Sequence, residues 1–386
     1  MTASAARGFS EPGLRRLAAA IEADIGQGRY FGAVIAVARG GTVGLFEAIG
    51  HADREGRRPL ARDSVFSLFS VTKAFTNALV FQAIEQGRLA LTTRVSAIIP
   101  EFSGGLRERI TFYDLLTHSS GLPSVFVPRP GMYIDRLEEI VAAICAELQS
   151  EAAPGERVTY APMAAQALMG EAIRRLDPRG RRYRQMVQDE IFQPLGMESS
   201  SIGVRRDLKG RHVVPHFLEN MGIQHLGHSD LGPNGAFEEE DAEMPWVGAV
   251  STVPDLFRFA EMLRRGGELD GIRILSPALL AQATLNRTGE KPNELYMQLV
   301  APKGWVPYPA YIGLGFFLRG EALCPHQFGT LASPRTFGNT GYGSTIFWID
   351  PMREMTFVCL TAGVMNEADN IARFQRLSDM AIAAAE

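Results

Sequence analysis

Leu14, Leu17, Ala18, Ile21 and Ile25 recur at intervals of three and four, which predicts an amphipathic helix from Leu14 to Ile25. Two runs rich in Val and Ile follow, Gly32 to Ala38 and Val43 to Ile49, and Gly40-Gly41 between them suits a tight hairpin turn. The far end of the chain mirrors the start. Ser344 to Ile349 and Met355 to Leu360 predict a second pair of strands about the turn Asp350-Pro351, and a last helix is expected from Glu367 with Asn366 as its N-cap. The middle has another pattern. Val71 to Gln86 is apolar on nearly every side, as in a helix enclosed by protein, and Gly87 fits its C-terminal end. Thr111 to His118, Leu137 to Leu148, Met163 to Leu176 and Leu256 to Arg265 also read as helices.

Strands thus cluster at both ends and helices in between. This predicts an α/β (α+β) fold: an antiparallel sheet made from both termini and flanked by the terminal helices, with a mainly helical region inserted. The expected division is residues 1–63 and 301–386 for the sheet and 64–300 for the insertion, which carries Ser70, Lys73 and Tyr160. A chain of 386 residues can bury a core of that size. The net charge of −4, with no basic stripe, gives no support to a nucleic-acid partner. No apolar run is long enough for a membrane span, and the N-terminal stretch lacks a signal-peptide pattern, so a cytoplasmic location is expected. Cys145, Cys324 and Cys359 are odd in number and far apart, which suits reduced thiols. His212, His216, His225 and His228 are loosely clustered, but Pro215, Gly222 and Gly227 interrupt any helix that would align them. Neither a metal nor an organic cofactor is expected. The acidic run Glu238 to Asp241 and the basic stretch Arg179 to Arg184 read as solvated surface.

The chemistry gathers at three places. Ser70-Val71-Thr72-Lys73 opens the apolar helix, and residues three apart on a helix share a face. A serine hydroxyl needs a base to become a nucleophile, and a lysine becomes that base when burial lowers its pKa. At a helix start, the Ser70 N–H is also placed to hold an oxyanion. Tyr160, in Tyr160-Ala161-Pro162, offers a phenol for proton transfer to a leaving group. The glycine-rich stretch Phe337 to Gly343 lies just before a strand, where a substrate can approach the backbone and a strand N–H can complete an oxyanion hole. Each of the three also has an ordinary structural reading: a helix cap with a surface lysine, a packing tyrosine, a turn.

Taken in order, SVFSLFSVTKAFTNAL, ITFYDLLTHSSGLP, APGERVTYAP, IFQPLGM, VGAVSTVPDLFRFAEMLRRGGELDGIRILSP and TFGNTGYGS resemble the serine β-lactamase and penicillin-binding-protein superfamily. The nearest likeness is to the class C β-lactamase-like branch that includes family VIII carboxylesterases. The resemblance implies a DD-peptidase/β-lactamase-like fold, with Ser70 as the acylated nucleophile, Lys73 as its base or proton partner and Tyr160 as a second proton-transfer residue. It implies an oxyanion hole from the N–H groups of Ser70 and Tyr342. Asn339, Thr340, Gly341 and Tyr342 would contact substrate, with Trp246 also assigned to substrate binding. Two departures stand out: Pro162 where an asparagine is frequent, and Asn339 where penicillin-recognising members carry a cation. Arg335 is near enough in sequence to be asked whether it supplies that charge.

The expectation is an acyl-enzyme hydrolase acting on small uncharged esters. The alternatives are acyl transfer or amide hydrolysis through the same intermediate, with weak β-lactamase activity, or a non-catalytic binding protein of the same fold. Partners are limited to a small ester or amide, with no prediction of oligomeric state. The loops Val125 to Ile134 and Ile223 to Trp246 are expected to shape the pocket. Phe126, Tyr133, Trp246, Trp305, Tyr308 and Tyr342 are candidates to line it. His118 is read as a structural residue that holds a loop near the cleft.

Overall fold

The computed structural model describes residues 8–219 and 225–385. A six-stranded antiparallel sheet joins the two chain ends. Its central strands are Gly32–Arg39 and Met355–Ala362, which pair along their full lengths, Gly32 opposite Ala362 and Arg39 opposite Met355. Thr42–Gly50 forms one edge; Thr345–Asp350, Phe337–Gly341 and the short Phe317–Leu318 continue to the other.

Both faces of this sheet are covered, which explains why its strands are apolar without alternation. On one face Ala33, Ile35, Val37, Trp348, Phe357 and Cys359 pack against Leu17 and Ile21 of the helix Glu11–Gly26 and Phe374 and Leu377 of the helix Glu367–Ala383. On the other, Val34, Phe347, Val358 and Leu360 join the larger core beneath the helix Val253–Arg264. The C-terminal helix starts where the sequence places it, with Asn366 accepting from the Asp369 N–H.

The helical part surrounds Lys73–Glu85, whose Ala74, Phe75, Ala78, Leu79, Val80 and Phe81 are all buried. A 3-10 turn, Phe69–Thr72, precedes it, so Ser70 sits on that turn rather than on the α-helix proper. A four-stranded sheet of two- and three-residue strands, which the sequence pattern did not show, closes one side of this region. Such strands are too short for period-two patterning to stand out. Phe337–Gly341, expected to be a turn before a strand, is itself a strand.

The remaining surface expectations are partly altered by ion pairing. Arg181 meets Asp177, Asp189 and Glu190, and Arg184 meets Asp241. The three cysteines are free, with Cys359 buried and the other two half-buried. Among the described residues no helix is long and apolar enough to cross a membrane. No cluster of His, Cys, Asp or Glu among them is arranged to hold a metal. His212 instead bonds Ser67, and His228 bonds Asp135.

Candidate active site

Three polar residues interrupt the apolar helix Lys73–Glu85 on one side, and each is buried and bonded. Lys73 Nζ donates to Ser70 Oγ at 2.9 Å and to the Trp246 carbonyl at 3.0 Å. Thr76 donates to the Pro245 carbonyl at 2.6 Å, and Asn77 to the Gly315 carbonyl at 3.0 Å. Spacings of three and four place these side chains on one stripe. That stripe grips the segment before the strand Ala249–Ser251 and the segment before Phe317, so the polar positions locate the walls of the site.

The turn carrying Ser70 is held from two directions. Leu68 N–H donates to the Ala249 carbonyl at 2.8 Å, and Thr345 Oγ1 donates to the Leu68 carbonyl at 2.8 Å. Phe69 has φ +49°, a left-handed conformation that costs a bulky residue on the order of 1–2 kcal/mol. Its ring is locked edge-on against Phe237 and Phe217. Gly341 lets the strand close on this turn, because a Cβ there would overlap the Leu68 carbonyl and the Thr345 hydroxyl.

Lys73 is 2 % exposed, and burial holds its amine well below the usual lysine value. The Tyr160 ring lies 5.1 Å from Nζ, a contact that favours the cation, but desolvation dominates. A neutral amine has a lone pair, so the Ser70–Lys73 bond can reverse and the amine accept the serine proton. Burial pushes the Tyr160 phenol up, and the nearby Ser70 hydroxyl partly offsets the rise. Tyr160 is packed between His118, at 4.4 Å between ring centres, and Phe317, at 5.9 Å. His118 is buried and pushed down to about 3, so it remains a neutral wall for the phenol. Its φ of +53° and the bond from the Thr159 N–H to its carbonyl tie its loop to the segment that carries Tyr160.

These groups open into a partly enclosed, mainly apolar cavity. Ser70, Tyr160, Trp246, Thr340 and Tyr342 line it, together with Phe126 and Pro162. Among the described residues, neither the Ser70 N–H nor the Tyr342 N–H has an acceptor. The first follows from its place in the opening turn of a helix, where N–H groups lack intrahelical partners. The second follows from its place just past the end of the strand Phe337–Gly341, whose outer neighbour pairs only with Phe337 and Gly338.

Several expectations are corrected. Asn339 and Gly341 do not line the cavity. Side chains alternate along a strand, and with Thr340 facing the cavity its neighbours face the other way. Asn339 is 3 % exposed and donates to the Gly315 carbonyl at 3.1 Å. Arg335 is exposed beside Met352 and brings no charge to the site. Tyr133, Trp305 and Tyr308 are absent from the lining among the described residues. Of the loop Ile223 to Trp246, Ile223 and Gln224 lie outside the described residues, while His225 and Trp246 line the cavity. The sequence reading missed Phe69, Phe217, Val247, Leu295, Tyr296, Leu299 and Glu367, which also line the cavity. Glu367 carried one signal, an acid at the first position of an otherwise ordinary last helix, and that is also what dipole stabilisation alone would produce.

The esterase/beta-lactamase LipL of Mycobacterium tuberculosis is 24% identical over 354 residues, covering 85% of this chain and 76% of LipL. A penicillin-binding protein homologue from Caulobacter crescentus superposes with TM-score 0.77 at 24% identity, over 98% of this chain and 99% of that one. A family VIII carboxylesterase does so with TM-score 0.76 at 20% identity, over 97% and 99%. These solved structures share the fold. The profile of the beta-lactamase family matches residues 17–380, and the chain belongs to that family, the serine hydrolases of the β-lactamase and penicillin-binding-protein fold.

Proposed function

We propose that the protein is a carboxylesterase working through an acyl-enzyme on Ser70, for small esters that carry no carboxylate. The observation that supports this most is the buried Lys73 amine, bonded to Ser70 Oγ at 2.9 Å with its pKa held well down. A lysine whose cation is disfavoured by burial is suited to act as a general base.

Lys73 takes the hydroxyl proton as Ser70 Oγ bonds to the ester carbonyl carbon. The N–H groups of Ser70 and Tyr342 hold the resulting oxyanion. The carbon–alkoxide bond then breaks, and the proton passes from Lys73 through the Tyr160 phenol to the leaving alkoxide. Water attacks the acyl-enzyme, giving its proton to the same pair. The acid departs and the serine proton is restored. The phenol's raised pKa keeps it protonated, and so a donor, until the alkoxide forms.

The lining favours esters over carboxylate-bearing substrates. Among its described residues there is no lysine or arginine, and the single carboxyl group is that of Glu367. An anionic substrate would meet no counter-charge there. The uncharged esters expected from the sequence fit this apolar lining, and LipL, an esterase/beta-lactamase, is consistent with ester hydrolysis without favouring it over β-lactam hydrolysis. The test compares turnover of p-nitrophenyl butyrate, a chromogenic cephalosporin and a D-alanyl amide, with fluorophosphonate labelling of Ser70. Faster ester turnover and a labelled Ser70 are expected. A folded protein that leaves Ser70 unlabelled would not be this enzyme.

A further inference from the structure

Glu367 is the group in the cavity that the chemistry above does not use. It is 4 % exposed and belongs to the lining. Its carboxyl accepts from the Gly343 N–H at 3.2 Å, from Gln327 Nε2 at 3.3 Å and from Asn370 Nδ2 at 3.5 Å. All three donors are neutral. A carboxylate offers about four acceptor sites, so one remains beyond these bonds. Among the described residues no cation lies within ion-pair distance of it. Arg373, further along the same helix, is turned to Thr361, Asn370 and the Gly343 carbonyl, and it does not line the cavity.

The neutral donors require an acceptor, not a charge. A buried acid without an ion pair is costly, so its negative charge exceeds what the surrounding bonds need. Several of the other lining residues are aromatic, beside Leu295, Leu299 and Thr340. Phe217, Tyr296 and Tyr342 present rings in the same lining, and ring faces attract cations. An acid set among rings, with no lysine or arginine lining the same space, is the complement of an ammonium group.

We propose that the cavity prefers esters bearing a cationic ammonium group, held by Glu367 against the rings of Phe217, Tyr296 and Tyr342. This rests on the esterase reading for its reaction and goes beyond it in naming the substrate class. The charged and titratable groups around Glu367 are Arg373 on its own helix and the phenols of Tyr160, Tyr296, Tyr308 and Tyr342 from four other segments. Burial pushes the Glu367 carboxyl up to about 7, and Arg373 only partly offsets that. The carboxylate therefore forms as pH rises through neutrality, and cation binding should strengthen in the same direction.

The test is calorimetric titration of the full chain with phenyltrimethylammonium at pH 8 and pH 6, beside Glu367→Gln. The wild type at pH 8 should bind about tenfold more tightly than Glu367→Gln, and also more tightly than itself at pH 6. A choline ester should in parallel be preferred to its neutral isostere, the 3,3-dimethylbutyl ester, with the preference reduced in Glu367→Gln. Equal binding by the two proteins, or no binding by either, overturns the proposal. Cation binding that depends on Glu367, in a protein that hydrolyses neither ester, would overturn the esterase reading and leave the cation site standing.

Discussion

Lys73, behind Ser70, and Glu367, in the cavity lining, are both buried, and burial moves their pKa values in opposite directions. Lys73 opens the helix that follows the turn carrying its partner Ser70, and desolvation holds its amine down. Glu367 lines the cavity with Phe217, Tyr296 and Tyr342, and desolvation pushes its carboxyl up to about 7. The physical cause is the same, a medium that disfavours charge, and both groups move toward neutrality. The consequences differ. A neutral amine gains a lone pair and becomes a base. A neutral acid loses its hold on a cation and is restored only when pH or a ligand removes its proton.

The largest effect that would break this comparison lies at Lys73 and its partner Ser70. Ser70→Ala should lower kcat/KM for p-nitrophenyl butyrate by at least about 10⁴-fold and abolish fluorophosphonate labelling, with circular dichroism unchanged. Lys73→Met should be nearly as inactive, yet melt at the same temperature as the wild type or higher, because an apolar side chain of similar length replaces a desolvated amine. A marked fall in its melting temperature would mean that Lys73 serves the fold rather than the chemistry.

Next comes Tyr160→Phe, expected to lower kcat by about 10²–10⁴-fold with little change in KM, as for loss of a proton-transfer group. An unchanged kcat would remove the phenol from the mechanism.

Glu367 is probed by stability. The Glu367 carboxyl titrates at about 7 when folded against a reference value of 4.5. The folded state therefore holds its proton over a range where the unfolded chain has released it. Stability should fall as pH rises from 4.5 to about 7, by an amount on the order of 3 kcal/mol, and Glu367→Gln should lack this slope. Urea unfolding of both proteins across that range measures the difference. The smallest effect belongs to Asn339→Ala, which removes one buried bond to Gly315. It should cost about 1 kcal/mol of stability while leaving the ratio of ester to cephalosporin turnover unaltered, since the amide lies behind the wall.

Legibility in the sequence followed the range of the interactions. Ser70 and Lys73 were legible together because a helical turn fixes the distance between positions three apart. The terminal helices and the four long strands were legible because their apolar periods run over many residues. Asn339 and Thr340 show where this stops. They are adjacent in one strand, so one must face the cavity and the other must not, and only the placement of the strand against the turn at Leu68 decides which. Arg335 is the same case at longer reach, a cation nearby in sequence whose side chain leaves the site.

By itself, the sequence determined which segments become helices and long strands, and that a hydroxyl and an amine would share one turn. Those outcomes depend on backbone geometry and on local apolar period. The tertiary structure alone decided that Tyr160 packs against Lys73, that Phe217, Tyr296 and Glu367 help line the cavity, and that burial disfavours the charged amine. Contacts between distant segments and the exclusion of water from a particular atom come from the packing of the whole chain, and no local stretch of residues specifies them.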